Sequence, residues 1–262
     1  MIDDNNRKLY ASGGFVRYYT ALSALQPAEE TILTLLRERL PGMKMLDLGV
    51  GGGRTTAHFA PLVAEYTGLD YSPEMIEACR QRFSGFDRSL SWFVGDARDL
   101  SRFEDDSFDF ILFSFNGIDY MPPADRERVF AEVARVGKSS GIFCFSSHNL
   151  TAIEREFDWK NKIGLNPFSA YVNLIMWAIL RLRNRSLTPA KLATSDRAMI
   201  RDEPHNFRLL TYYGRPREQS RQLEPFFRDI KIFSWKTGRE IESESDLEAC
   251  TDLWLYYFCT IP

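Results

Sequence analysis

Two carboxylates flank a glycine-rich turn in the first third of the chain. The apolar run at 43–48 contains Asp47 and leads into glycines at positions 49, 51, 52 and 53, and Asp70 ends a second apolar run 17 residues after Gly53. Glycines allow unusual backbone angles and let a ligand approach the main chain. A carboxylate at the position of Asp70 can accept two hydrogen bonds from a ribose diol. The pattern predicts a nucleotide-binding crevice.

Asp47 distinguishes this turn from the dinucleotide-binding motif. The order here is Asp-x-Gly-x-Gly-x-Gly, whereas Gly-x-Gly-x-x-Gly favours a pyrophosphate at a helix N-terminus. An acid beside the turn favours a cationic ligand group, such as the ammonium of an amino acid, because opposite charges attract. A redox Rossmann domain that binds a dinucleotide is the alternative interpretation.

With this turn, the sequence resembles the class I S-adenosylmethionine-dependent methyltransferases of the small-molecule type. The resemblance covers residues 40–148 well and 207–262 more loosely. The other segments that carry it, in the order and spacing of the family, are Gly68 to Met75, Phe93 to Ala97, Phe108 to Ser114, and the helix 124–137 leading to Gly141 and a strand at 142–147. The resemblance implies S-adenosylmethionine as cofactor and S-adenosylhomocysteine as its product.

The resemblance also implies cofactor contacts at the ends of the first four strands. It places the amino-acid half of the cofactor at the glycine turn, the ribose on Asp70, and the adenine against Tyr71, with Asp96 accepting from its amino group. The residues that it assigns to the cofactor are Asp47, Gly49, Gly51, Gly53, Thr55, Asp70, Tyr71, Asp96, Ala97, Ser114 and Phe115.

The methyl acceptor is expected where the fourth and fifth strands end. A sulfonium is already a good leaving group, so the protein must mainly align the acceptor and exclude water. An oxygen acceptor often also needs a general base. His148, at the end of the fifth strand, is the first candidate for this base and His205 the second, although His148 could instead only orient a loop. Contacts to the acceptor are expected from Asn116, Asp119 and Tyr120.

Several other classes of this fold are disfavoured. DNA amino-methylating enzymes carry Asn/Asp-Pro-Pro-Tyr/Phe after the fourth strand, whereas this chain has Asn-Gly-Ile-Asp-Tyr at 116–120. Metal-assisted enzymes need acidic ligands after the fifth strand, and we expect no metal because that pattern is missing. No basic stripe with interleaved aromatic residues favours RNA. A methyltransferase that acts on RNA or protein, and a non-catalytic cofactor-binding protein, are the alternatives to a small-molecule enzyme.

Alternating strand and helix patterns must position these residues. Apolar runs lie at 43–48, 66–70, 90–95, 108–114 and 141–147. Helical patterns lie at 27–40, 54–65, 73–84 and 124–137. The alternation predicts an α/β fold, a doubly wound parallel sheet covered on both faces. By resemblance, a helix at 216–226 and strands at 228–235 and 253–260 complete a seven-stranded, mostly parallel sheet whose last strand is antiparallel.

The methyltransferase domain is therefore expected to comprise residues 1–148 and 207–262, with a helical lid at 1–40. Residues 149–206 form an insertion, predicted to be a mainly helical cap. Within it, 167–182 is almost entirely apolar but is shorter than the roughly 20 residues that span a bilayer. We expect this segment to be buried under the cap or in a dimer contact. A weak membrane-surface contact through 167–185 is the alternative, because Arg181, Arg183 and Arg185 could meet anionic headgroups.

The composition is that of a folded protein, predicted to be cytoplasmic. Its 44% hydrophobic and 14% aromatic residues exclude disorder, and a net charge of −3 gives no general attraction to nucleic acid. The four cysteines show no metal spacing and are expected to be reduced, and the polar N-terminus does not resemble a signal peptide. The expected partner is a small-molecule acceptor, with no DNA and with RNA disfavoured, and the expected assembly is a monomer or homodimer.

Overall fold

The apolar runs of the sequence form one central sheet in the computed structural model. The structure describes residues 13–88, 90–162, 166–203 and 206–262. The first 12 residues of the predicted lid and the second candidate base, His205, lie outside the described residues. Everything said below of the fold and the site concerns the described part of the chain.

Nine strands alternate with helices along the chain. They are β1 (Lys44–Leu48), β2 (Glu65–Asp70), β3 (Leu90–Val94), β4 (Phe108–Phe113), β5 (Gly137–His148), β6 (Arg197–Ile200), β7 (Thr211–Gly214), β8 (Arg228–Ser234) and β9 (Trp254–Thr260). Seven of them form a sheet in the order β3-β2-β1-β4-β5-β9-β8, and β6 and β7 form a separate ribbon. In the large sheet β9 is antiparallel to both neighbours, and the pairs among β1 to β5 are parallel. The predicted seven-stranded, mostly parallel sheet is confirmed.

The helices between these strands mostly begin with proline. They are α1 (Gly13–Ala21), α2 (Pro27–Leu36), α3 (Thr56–Phe59), α4 (Pro73–Arg82), α5 (Pro123–Val136), α6 (Leu150–Glu154), α7 (Pro167–Arg183), α8 (Pro189–Ala193), α9 (Pro216–Leu223) and α10 (Glu244–Ala249). Proline suits the first helical position because its φ is already helical and its missing N–H would have no partner there. The sequence therefore marks most helix starts locally.

Helices cover both faces of the large sheet. On one face, Phe130 of α5 packs on Phe145 of β5, with ring centroids 5.5 Å apart. On the other face, Ile32 and Leu36 of α2 share a buried cluster with Phe110 of β4. The sheet is therefore enclosed between two apolar layers, and the carboxyl ends of its parallel strands meet at one edge.

The predicted helix at 54–65 is the single turn α3. Pro61 lacks an N–H and its ring clashes with the preceding turn, so the helix ends before it. The hydroxyl of Thr55 donates to Asp47 at 2.5 Å, and that of Thr56 lies 2.7 Å from the Tyr66 hydroxyl, which ties this turn to the sheet. Pro61 therefore ends the helix although the apolar periodicity predicts that it continues to residue 65.

Residues between β5 and α9 form a subdomain with its own core. Helices α6 to α8 pack with the ribbon, in which Ile200 of β6 pairs with Thr211 of β7. The buried core consists of Leu150, Phe157, Leu180, Leu192, Ile200, Phe207 and Tyr213. The predicted boundary at residue 206 falls inside this subdomain, because β7 must pair with β6 to satisfy its backbone groups. None of the helices in the described part of the chain has the length and apolar character needed to span a bilayer.

Candidate active site

A cleft of about 450 Å³ opens where β1 to β4 end. Open parallel sheets bind their ligands at this edge. The glycine turn after β1 forms one wall, and the N–H of Gly51 donates to Oδ2 of Asp70 at 2.9 Å. Gly53 has a φ of 76°, and a Cβ on it would lie 2.4 Å from the Phe83 ring. The turn therefore requires glycine at this position.

Asp70 lines the cleft and is held by the main chain. Its Oδ2 accepts from Gly51 and its Oδ1 from the N–H of Ser72, both at 2.9 Å. Each oxygen keeps lone-pair capacity for a further donor. Burial raises the pKa of Asp70 to about 6, although the two backbone hydrogen bonds act in the opposite direction. The carboxylate is therefore placed to accept hydrogen bonds from a diol.

Asp47 lies at the inner end of the same cleft and is almost fully buried. Its Oδ2 accepts from the hydroxyls of Thr55 at 2.5 Å and Tyr66 at 2.6 Å. Burial raises its pKa to about 6, and the two hydroxyls oppose this shift. Thr55 thus orients Asp47. Above about pH 6 the Asp47 carboxylate gives this wall of the cleft a negative charge, which favours a cationic ligand group.

Asp96, Ala97 and Tyr71 border the cleft at the end of β2 and β3. Arg98 binds the Asp96 carboxylate, with Nε 2.9 Å from Oδ1 and Nη2 2.5 Å from Oδ2. Partial burial raises the pKa of Asp96, but the hydrogen bonds from Arg98 outweigh it and hold that pKa below its ordinary value. A ligand amine at this end therefore meets an ionised carboxylate that it must share with Arg98.

The end of β4 is held by a buried polar cluster. The hydroxyl of Ser114 lies 2.8 Å from that of Tyr256 and donates to the carboxylate of Glu29. Arg54 donates to both oxygens of Glu29, Nη1 to Oε2 at 2.5 Å and Nη2 to Oε1 at 2.6 Å. Its guanidinium also lies 5.0 Å from the centroid of the Phe115 ring. Ser114, Arg54 and Phe115 all border the cleft.

Glu29 and Arg54 are site residues that sequence reasoning missed. Glu29 is 1% exposed and Arg54 8%. Burial raises the pKa of Glu29, but the hydrogen bonds and charge of Arg54 outweigh it and lower that pKa overall. Arg54 directly follows the glycine motif, and this position could have indicated that its side chain lies near the cleft. Glu29 stands in the first turn of α2, where a carboxylate is expected to face solvent and favour the helix dipole.

Asp119 joins two of the predicted catalytic residues, His148 directly and Asn116 through His148, in one hydrogen-bonded network. Its Oδ2 accepts from the main-chain N–H of His148 and lies 2.7 Å from the ring Nδ1. Its Oδ1 pairs with the buried guanidinium of Arg126 and accepts from the Ser147 hydroxyl at 2.8 Å. The other ring nitrogen of His148, Nε2, lies 3.3 Å from Nδ2 of Asn116. Asp119 thus orients the imidazole through Nδ1.

The predicted acceptor residues divide between the cleft wall and the layer behind it. Tyr120 and Phe115 border the cleft, whereas the buried side chains of Asn116, Asp119 and His148 are not part of its described walls. Phe115 and Asn116 have left-handed backbones, with φ of 58° and 60°. Such angles are uncommon for residues with a side chain and are typical of functional turns. Through this turn Phe115 borders the cleft while Asn116 contacts His148.

The ribbon of the inserted subdomain packs on this network. The guanidinium carbon of Arg126 lies 4.0 Å from the centroid of the Tyr212 ring, and the rings of His148 and Tyr213 are 4.9 Å apart. Tyr212 and Tyr213 are successive residues of β7 and point to opposite faces of the strand. One contacts Arg126 and the other contacts His148, so β7 touches the network at two separate points. Gln219 of α9 also accepts from Arg126. The subdomain is therefore joined to the catalytic candidates by direct contacts.

The four cysteines pack in or against the hydrophobic clusters of the core. All four are free thiols, and Sγ of Cys79 donates to the carbonyl of Gly51 at 3.0 Å behind the glycine turn. Burial raises the pKa of Cys79, so it is a thiol and not a reactive thiolate. Among the described residues, no group of three or more His, Cys, Asp and Glu side chains is placed to hold a metal ion.

Glu29→Ala leaves Arg54 buried without its carboxylate. We expect the free energy of unfolding to fall by about 3–5 kcal/mol, as for other broken buried ion pairs, in urea unfolding. Glu30→Ala, in the same turn of α2 but exposed, is the matched control and should change stability by less than about 0.5 kcal/mol. Equal effects of the two substitutions would contradict a structural role of the pair.

The pH dependence of the same variant gives a second readout. The folded-state pKa of Glu29 is lowered, so its ionisation stabilises the fold above the unfolded pKa of about 4.3. That contribution is lost as the pH falls through the lower folded value. The stability difference between the wild type and Glu29→Ala should therefore shrink below about pH 4.

Comparison with known proteins bears on the cleft. Residues 45–141 match the family model described as a methyltransferase domain. A demethylmenaquinone methyltransferase from Clavibacter sepedonicus is 34% identical over 120 residues, which cover 45% of this chain and 47% of the relative. A magnesium-protoporphyrin O-methyltransferase from Rhodobacter capsulatus is 28% identical over 144 residues, which cover 53% of this chain and 62% of the relative. The chain thus spans about half the length of the curated relatives it matches.

The likeness in fold extends over nearly the whole chain. The structure of an S-adenosylmethionine-dependent methyltransferase from Clostridium acetobutylicum superposes with a TM-score of 0.59 at 14% identity, covering 90% of this chain and 91% of the other. At this identity the likeness concerns the fold. The segment matched by the family model begins in β1 and ends in β5, so it contains the glycine turn, Asp70 and Asp96. Residues 45–141 are therefore a methyltransferase domain, and the chain has the Rossmann-like fold seen in S-adenosylmethionine-dependent methyltransferases.

Proposed function

We propose that the protein methylates a small-molecule acceptor, at an oxygen atom, with S-adenosylmethionine as methyl donor. The observation that carries the proposal is the continuity of the cleft. It runs from Asp70 and the glycine turn to Phe115 and Tyr120, and the Asp119–His148 pair lies directly behind that end. A cofactor site, an acceptor site and an acid–base pair are therefore adjacent.

The residues around the cleft fit the cofactor. Asp70 has acceptor capacity for the two ribose hydroxyls. Asp47 supplies a buried negative charge for the amino-acid ammonium, and Tyr71, Asp96 and Ala97 would hold the adenine end. The sulfonium of the bound cofactor supplies the methyl group as an electrophile.

Aromatic side chains shape the acceptor end of the cleft. Tyr19 and Phe115 lie with ring centroids 6.3 Å apart, and Phe115 lies 6.4 Å from Trp254. Tyr120 and Met121 complete this end of the cleft. Apolar walls exclude water and fix the orientation of an acceptor, which is the main contribution that methyl transfer requires of a protein.

His148 is the proposed general base. The Asp119 carboxylate accepts the proton on Nδ1, which leaves the lone pair of neutral imidazole on Nε2. Nε2 contacts the Asn116 amide at 3.3 Å, so an acceptor hydroxyl, or one bridging water, must replace that amide to reach it. In this scheme the Asp119 carboxylate, which also pairs with Arg126, stabilises the imidazolium formed when His148 takes the proton.

The relatives support a small-molecule acceptor. Both are named for methylation of small molecules, and one is named as an O-methyltransferase. The net charge of −3 gives no general attraction to RNA. The four cysteines are all free, which is typical of cytoplasmic proteins. The proposal therefore includes a cytoplasmic location, together with a monomeric or homodimeric assembly. A methyltransferase of RNA or protein and a non-catalytic cofactor-binding protein are the rival functions.

Asp70→Ala tests the cofactor site. We expect the wild-type protein to bind S-adenosylmethionine and S-adenosylhomocysteine, but not NAD, in calorimetric titration. Removing the carboxylate should weaken both adenosyl ligands by about 1.5–3 kcal/mol, the range for hydrogen bonds to a charged group. Asp87→Ala, at an exposed position, is the matched control. Unchanged affinity in Asp70→Ala would remove this residue from the site.

The affinity for S-adenosylmethionine should fall as the pH is lowered through about 6. Asp70 and Asp47 have pKa values raised to about 6, so both carboxylates become neutral below that pH. A neutral carboxyl accepts fewer hydrogen bonds and no longer attracts an ammonium. Titrations at about pH 7.5 and about pH 5 should differ by about tenfold or more. Equal affinities would show that binding does not use these charges.

His148→Ala separates catalysis from binding. We expect turnover, measured as release of S-adenosylhomocysteine in an acceptor screen, to fall by about 10²–10⁴-fold. Cofactor affinity should be unchanged, because His148 is not part of the described cleft wall. His58→Ala, in α3, is the control and should keep normal turnover. A normal rate in His148→Ala would assign proton transfer to another group, and binding without turnover for any acceptor would favour the non-catalytic alternative.

A further inference from the structure

Helix α7 exposes an apolar stripe along one side. Phe168 is 76% exposed, Tyr171 63%, Val172 40% and Ile175 42%. These positions are spaced i, i+3, i+4 and i+7, so they lie on one face of the helix. Leu182, which is 60% exposed, continues the same face two turns later. We call these five residues the α7 stripe.

The subdomain does not need the α7 stripe for its own core. The C-terminal half of α7 provides the buried contacts: Leu180 belongs to the core cluster, and Met176 and Ile179 pack against it. The indole N–H of Trp177 also donates to the carbonyl of Phe157 at 3.0 Å. The C-terminal half of α7 therefore anchors the helix in the subdomain. The N-terminal half, which carries Phe168 to Ile175, is mostly exposed and is not buried under the cap as the sequence predicted.

Positive charge accompanies the α7 stripe. Arg183 and Arg185 are exposed at the C-terminal end of α7, and the exposed Lys160 lies on the 3-10 turn Trp159–Lys162 that packs against α7. Trp159, beside this lysine, is 47% exposed. Nine Lys and Arg against six Asp and Glu give residues 149–206 a net charge of +3, whereas the whole chain carries −3. The charge of the insertion is thus opposite to that of the rest.

We propose that the α7 stripe docks on the surface of an anionic lipid bilayer, with the helix in the plane of the interface. Exposed Trp, Tyr and Phe side chains suit the headgroup boundary, and Arg183 and Arg185 would meet anionic headgroups. A second copy of the chain is the less suitable occupant, because it would place another positively charged subdomain opposite the first. This attachment is a separate property from methyl transfer, with which it shares no residue.

Vesicle co-sedimentation tests the proposal. The wild-type protein should bind vesicles of phosphatidylcholine with phosphatidylglycerol, should bind pure phosphatidylcholine at least about tenfold less, and should be released by salt. Phe168→Ser with Ile175→Ser should weaken binding by about tenfold or more, because two large apolar side chains are removed from the contact. Arg183→Gln with Arg185→Gln should weaken it by about fivefold for each charge.

Matched controls separate this result from folding and from the cofactor site. Leu35→Ser removes a side chain that is 56% exposed on α2, a helix outside the subdomain that carries the α7 stripe, and should leave vesicle binding unchanged. The stripe variants should keep wild-type affinity for S-adenosylmethionine. Absence of binding to anionic vesicles, or equal binding to neutral ones, would overturn the proposal. A dimer in sedimentation equilibrium that Phe168→Ser dissociates would also overturn it and assign the stripe to self-association.

Discussion

The buried ion pair between Glu29 and Arg54 is the interaction on which the cleft depends. It joins α2 to the glycine turn, and through Ser114 and Tyr256 it reaches the end of β4 and the antiparallel strand β9. Neither charge could stay buried alone, since removing one partner leaves an uncompensated ion in a low dielectric. Four separate segments are therefore held in one arrangement, and the cleft wall is preorganised before any ligand arrives.

Most of the sheet could be predicted from the sequence because strands buried on both faces read as apolar runs. The runs at 43–48 and 108–114 agree with β1 and β4 to within one residue at each end. Helix ends were less predictable where one residue overrides a pattern, as Pro61 does in ending α3. The ribbon was missed because strands of four residues, such as β6, carry too little periodicity to show which segment they pair with.

The candidate site was predictable where its residues are neighbours in the sequence. Asp70 and the glycine turn meet because β1 and β2 are adjacent parallel strands, so their ends come together whatever the rest of the chain does. Glu29, Arg126 and Tyr213 could not be placed in the same way. The partners of Glu29 and Tyr213 lie far away in the sequence. Asp119 is only seven residues from Arg126, but one sequence does not tell which buried carboxylate pairs with which arginine.

The contacts of β7 with Arg126 and His148 determine whether the subdomain of α6 to α8 and the β6–β7 ribbon could be exchanged for another. An inserted loop that merely lies on a surface can be exchanged between relatives as a module. Here Tyr212 covers a buried guanidinium and Tyr213 packs on the candidate base. Deleting the subdomain would expose a charge that now belongs to the core. A chimera that replaces the subdomain must therefore carry over both tyrosines.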